Sequence, residues 1–142
     1  MPSAQRGFQG MSADTTTLDI IEAGDLSFAV EYRHVGSEEG PSVHIFGQID
    51  GTQEEILRFD CFDKRPHYHY GFSYIDQPAI PIDTAAVGDP LEWVFDRIQS
   101  HLPEMLTKAG ASTLGASCDP ERLSDVATTL WKRARKLTPA SS

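Results

Sequence analysis

The sequence predicts an α+β domain: an antiparallel β-meander of about four to five strands followed by two helices packed on one face. Apolar residues recur with a period of two up to about residue 75, and at three- and four-residue spacing after residue 89. Strands first and helices afterwards is the α+β order. The strand segments are joined by short connections, and parallel neighbours would need a crossover of about a dozen residues, so the pairing is expected to be antiparallel. A chain of 142 residues, 39% hydrophobic and 23% charged, is enough for one core. The domain is expected over residues 17–138. A disordered leader over 1–16, rich in Ser, Thr, Gln and Gly, and a frayed tail over 139–142 flank it.

Residues 18–22 suggest an edge strand. From Leu26 to Val35 the residues Leu26, Phe28, Val30 and Tyr32 alternate with Ser27, Ala29, Glu31 and Arg33, the pattern of a strand with one buried and one wet face. The stretch from Gly36 to Pro41 reads as a turn. A strand from Val43 to Ile49 then sets Val43, Ile45 and Ile49 against His44, Phe46 and Gln48, and Asp50-Gly51 supplies a hairpin signal. The next strand, Glu55 to Phe62, puts Leu57, Phe59 and Cys61 on one face and Ile56, Arg58, Asp60 and Phe62 on the other. A further strand extends from His67 to Ile75.

The helices carry end signals. Asp89-Pro90-Leu91-Glu92 is an N-cap, a proline at the first helical position and a carboxylate in the first turn. It precedes an apolar stripe of Leu91, Val94, Phe95, Ile98, Leu102, Met105 and Leu106. Pro103 is expected to kink or split that helix near His101, and Gly110 to stop it. Asp119-Pro120-Glu121 opens a second helix whose stripe is Leu123, Val126, Ala127, Leu130, Ala134 and Leu137.

A formal net charge of −9 repels phosphate backbones and anionic lipid, which disfavours nucleic acid as a partner. The basic residues Lys132, Arg133, Arg135 and Lys136 sit where cations complement the end of a helix dipole. Apolar runs such as Ala79 to Ile82 are far shorter than the roughly 20 residues a membrane span needs, and no secretory signal pattern opens the chain. Cys61 and Cys118, a widely separated pair, read as reduced thiols. A cytoplasmic location is the expectation.

The chemistry concentrates between Arg58 and Gly71. On a strand, His67 and His69 share a face at about 6–7 Å by strand rise, a spacing from which two imidazoles reach one ion. With Asp60 as third ligand, or Asp63 or His44 in its place, the set suits zinc or non-haem iron(II). The same residues serve metal-free catalysis, with His67 or His69 as general base, Asp60 orienting it and Arg58 stabilising a developing anion. His44, Tyr68, Tyr70 and Trp93 are the candidate lining of a ligand pocket. A third use is structural: an Arg58–Asp60 charge pair on a half-exposed strand, with an aromatic surface from Tyr68 to Tyr74 for a protein partner or a second copy of the chain. The partner is accordingly a small molecule or a protein. Trp93 and Trp131 are expected to pack on the sheet, His34 and His101 to face solvent, and Cys61 to behave as a small core residue. Phosphate loops, nucleophile elbows and Cys-x-x-Cys pairs are absent from the sequence.

The segment Ile56-Leu57-Arg58-Phe59-Asp60 followed by His67-Tyr68-His69-Tyr70-Gly71 resembles the core signature of small bacterial domains around the TumE-type toxins, and a broader set of bacterial domains with the same strand, turn and helix. The likeness covers about fifteen residues. It implies a compact bacterial α+β domain in which Arg58, Asp60, His67 and His69 form the shared face, with an antitoxin as the partner a toxin would have. The chain differs from that pattern in being acidic and in carrying a second helix.

Overall fold

The computed structural model describes residues 19–49, 51–70 and 79–137. The expected leader and tail, the first residue of the Asp50-Gly51 turn and the extension of the fourth strand past Tyr70 lie outside these residues. One antiparallel sheet runs in sequence order through β1 (Ile21–Ala23), β2 (Leu26–Val35), β3 (Glu38–Ile49), β4 (Thr52–Asp60), β5 (His67–Tyr70) and β6 (Ala79–Pro81). Four helices follow: α1 (Thr84–Val87), α2 (Pro90–Lys108), α3 (Ser112–Ala116) and α4 (Pro120–Leu137). The class is α+β, with six strands where four to five were expected.

The additional strand is β6, too short for alternation to reveal. It pairs with β5, Tyr68 opposite Ile80, at the sheet edge where a proline costs no ladder bond. The expected turn from Gly36 to Pro41 is also corrected. Only Gly36-Ser37 turns, with Gly36 in the left-handed region at φ 61°, and β3 begins at Glu38. Pro41 lies inside β3 beside the end of β4, where its carbonyl still accepts from the Cys61 N–H at 2.9 Å. A neighbouring bond joins the Asp63 N–H to the Glu39 carbonyl, also 2.9 Å, and holds the chain leaving β4 against β3.

Gly40 sits between those two bonds. A Cβ there would lie 2.2 Å from the Cys61 carbonyl oxygen, which belongs to the backbone and cannot rotate away. Gly40→Ala is therefore expected to cost about 3 kcal/mol, the upper end of overpacking penalties. Urea unfolding of the variant against wild type reads that loss.

The inward positions of β2, β3 and β4 are Leu26, Phe28, Val30, Val43, Ile45, Leu57 and Phe59, and they form one core with Val94, Phe95, Ile98, Leu102 and Leu106 of α2 and Leu123, Val126, Leu130 and Ala134 of α4. Asp89 caps α2 by accepting from the Glu92 N–H at 3.3 Å, and Asp119 accepts from the Glu121 N–H at 3.1 Å. Gly110, at φ 99°, lets the Ala111 N–H reach back to the Leu106 carbonyl at 2.8 Å and closes α2. Pro103 neither splits nor ends α2, which continues to Lys108. Ile98, Leu102 and Leu106, buried on either side of it, hold both turns against the sheet. No described helix is long and apolar enough to cross a membrane.

Candidate functional site

Strand alternation sends the polar residues of β2 to β5 to the face away from the helices, and the register aligns them in two rows. One row is Ala29, His44, Arg58 and His69; the next is Glu31, Ser42, Asp60 and His67. This face is enclosed: Ser42, His44, Glu55, Arg58 and Asp60 are all buried. Burying charged groups without partners costs several kcal/mol each, so the pairing must be close to complete.

A bulge adds one member to the face. Ile45 pairs with Leu57 and Phe46 with Glu55, which leaves Ile56 without a partner across β3 and reverses the alternation beyond it. Ile56 consequently joins Leu57 in the core, and Glu55 turns to the polar side beside His44.

Asp60, 1% exposed, is the hub. Its Oδ1 accepts from the Ser42 hydroxyl at 2.7 Å and from Arg33 Nη1 at 3.3 Å. Its Oδ2 accepts from Arg58 Nε at 3.1 Å and faces His67 Nε2 at 3.2 Å and His69 Nε2 at 3.7 Å. Burial alone would raise the Asp60 pKa, but the bonds from His67 and Ser42 and the charges of Arg58 and Arg33 hold it far below the usual carboxylate range. Asp60 is an anion at every physiological pH.

His67 shows how this anion is approached. Its Nδ1 lies 2.8 Å from the Arg65 carbonyl oxygen, which can only accept, so Nδ1 carries a proton. In a neutral ring Nε2 then presents its lone pair to Asp60 Oδ2. A second proton or a cation must lie between them. The bond to Asp60 raises the His67 pKa, and burial opposes it. His69 converges on the same oxygen, its ring centroid 4.9 Å from that of His67. One ligand atom from each of Asp60, His67 and His69 lies within 4.8 Å of the others, and this is the cluster of metal-ligating type among the described residues.

A second unit lies alongside. His44, 1% exposed, is clamped between two carboxylates, Nδ1 2.5 Å from Glu55 Oε2 and Nε2 2.7 Å from Glu31 Oε2. Burial would lower the His44 pKa, yet the bonds to Glu31 and Glu55 raise it, so the two carboxylates favour the protonated ring. Phe46 stacks on it, with centroids 5.9 Å apart.

The structure thus brings together Arg58, Asp60, His67 and His69. His44, considered as a third ligand, has both nitrogens engaged by Glu31 and Glu55, and Asp63, the other alternative, accepts from the Glu39 N–H at 3.1 Å in the loop after β4. Tyr68, Tyr70 and Trp93 do not line a pocket with His44. They lie on the helix side, partly buried against the core, with Tyr68 stacked on Phe59 at 5.4 Å and 5.9 Å from Trp93. Period-two alternation puts Tyr-x-Tyr opposite His-x-His, so a pocket using both faces is excluded by strand geometry. Cys61 is buried, which pushes its thiol pKa up and leaves it inert.

Sequence reasoning did not single out Glu31, Arg33, Ser42 or Glu55 as site residues. Glu31 and Arg33 carried a signal as charged alternates of β2, and Glu55 carried none because the bulge is needed to bring it in.

A family model described as a domain of unknown function (DUF7700) matches residues 20–134. No curated protein and no solved structure matches the chain.

Proposed function

Because the chain belongs to the DUF7700 family, a domain of unknown function, the site itself has to carry the reading, and we propose that Asp60, His67 and His69 bind a divalent transition metal, zinc or iron(II), open to a small-molecule ligand. The observation that carries this is the convergence of two imidazole nitrogens on one carboxylate oxygen, at 3.2 and 3.7 Å from Asp60 Oδ2. Protons meet Oδ2 only as two separate N–H groups, one on a His67 imidazolium and one on His69, whereas one metal ion satisfies both nitrogens and the carboxylate together.

The distances support the reading. Bonds of about 2.0–2.1 Å to a tetrahedral ion place neighbouring ligand atoms about 3.3 Å apart, close to the two separations from Asp60 Oδ2, and the three ligand atoms lie within 4.8 Å of one another. The Arg65 carbonyl fixes the His67 ring and its tautomer, as the outer partners of metal-bound histidines do. Three protein ligands leave coordination positions for water or ligand, and the His67 and His69 side chains reach solvent in part, 23% and 14% exposed, over the buried Asp60. When bound, such an ion supplies Lewis acidity and lowers the pKa of coordinated water to about 7. The protein's own part is to hold Asp60 ionised through Arg58, Arg33 and Ser42, and to release the His67 proton as metal enters. Metal affinity therefore falls as pH falls and the imidazole regains that proton.

The test is elemental analysis of tag-free protein incubated with zinc or iron(II) and desalted, beside a His67→Ala/His69→Ala variant. Near-stoichiometric metal is expected in wild type, and at most a tenth as much in the variant, with both melting cooperatively. Equal metal in the two, or none in either, would sink the proposal.

A further inference from the structure

Arg33 is the most exposed charged partner of Asp60, at 26%, and it meets the carboxylate through a single nitrogen, Nη1, 3.3 Å from Oδ1. Its guanidinium lies over the Phe62 ring, 6.0 Å from the centroid. Arg58 approaches the same carboxylate from inside the sheet through Nε. Two guanidinium ions thus share Asp60.

The other carboxylates of the face are already engaged. Glu31 and Glu55 each accept from His44, although Glu31 lies near enough to Arg33 for the two charges to interact. A divalent ion on the histidine side of Asp60 adds two positive charges beside Arg33 and Arg58.

Asp60 itself shows what fits. Its Oδ2 faces the histidines and its Oδ1 takes Arg33, so one carboxylate already joins the metal side to the guanidinium side. A second group with two oxygens at the same spacing can join them again from the solvent side. The guanidinium fork matches carboxylate and phosphate oxygens alike. We infer that the site takes a small oxyanion, a carboxylate or a phosphate, with one oxygen on the metal and another on Arg33. This inference rests on the metal reading above, and it names the class of ligand that site takes.

Calorimetric titration of orthophosphate and of malonate, each into zinc-loaded and metal-free protein in an amine-sulfonate buffer, tests it, with metal content measured separately on every sample. Zinc-loaded wild type is expected to bind at least one of the two anions, and which one identifies the source. Arg33→Gln, which also removes one of the charges that hold Asp60 ionised, is compared at equal measured zinc content and is expected to weaken that binding at least tenfold. Arg33→Lys, which keeps the charge but loses the fork, should fall between. Unchanged affinity in Arg33→Gln, or no binding of either anion to zinc-loaded wild type, overturns the inference. Should the protein retain no zinc, the metal reading fails alone: anion binding to metal-free protein that is lost in Arg33→Gln upholds an oxyanion site at Arg33, and its absence overturns that site as well.

Discussion

Asp60→Ala is expected to lower stability by about 3–5 kcal/mol, the loss that follows when one partner of a buried ion pair is removed and the other stays behind. Arg58 is 6% exposed and Ser42 is fully buried, so neither reaches enough water to replace the carboxylate. The loss is mostly the cost of taking a charged partner from the buried Arg58 guanidinium and the acceptor from Ser42, which is why a single substitution has so large an effect. Asp60→Asn keeps an oxygen acceptor of the same size and should lose less. Urea midpoints compared at equal slope measure both. A change below about 1 kcal/mol for the alanine variant would mean that the network contributes no more than exposed pairs do.

His44→Phe is the second large effect. Phenylalanine fills the ring volume and keeps the stack on Phe46, but it leaves Glu55, 1% exposed, without the donor at Oε2, and Oε1 already has no hydrogen-bond partner. A buried carboxylate with no compensating cation should cost about 3–5 kcal/mol. The clamp also fixes a pH dependence in wild type. Burial raises the Glu31 pKa, but His44 pulls it below its ordinary 4.5, so its contribution is full above 4.5 and is lost as pH falls through the lower folded value. His44 is held above its ordinary 6.5, so its contribution is full below 6.5 and is lost as pH rises through the raised folded value. The stabilisation from the clamp is therefore greatest between 4.5 and 6.5 and declines on the alkaline side. Urea unfolding from about pH 4 to 9 should show that decline in wild type and a flatter profile in His44→Phe. The same alkaline slope in both proteins would place its origin elsewhere.

Much of the fold is written in local patterns. Alternation in β2 and β3 separates Phe28, Val30, Val43 and Ile45 from Glu31, Arg33 and His44, because a pleated strand leaves no other choice once one face is buried. The caps at Asp89 and Asp119 are equally local. What escapes is decided between segments. The bulge at Ile56 depends on how β4 meets β3, and only that moves Glu55 to the polar face. β6 exists because β5 offers it an edge, not because three residues announce a strand. Pro103 reads as a breaker in isolation, yet the buried residues flanking it outweigh its missing N–H.

The site divides in the same way. His67 and His69 share a face by period alone, and Asp60 lies opposite His67 by register. The enclosure of that face has no signature in the sequence: charged alternates on β2 read as solvent-facing, whereas the structure makes Glu31 and Arg33 partners of His44 and Asp60. Tyr68 and Tyr70 were legible as opposite to the histidines, and their packing against Phe59 and Trp93 follows from the helices covering that side.

Anomalous diffraction at the zinc edge from zinc-loaded crystals tests most directly whether Asp60, His67 and His69 hold one ion. One strong peak is expected within about 2.0–2.2 Å of Asp60 Oδ2, His67 Nε2 and His69 Nε2. A peak elsewhere, or a zinc-treated crystal with the two imidazoles still facing Asp60 and no peak between them, would contradict it.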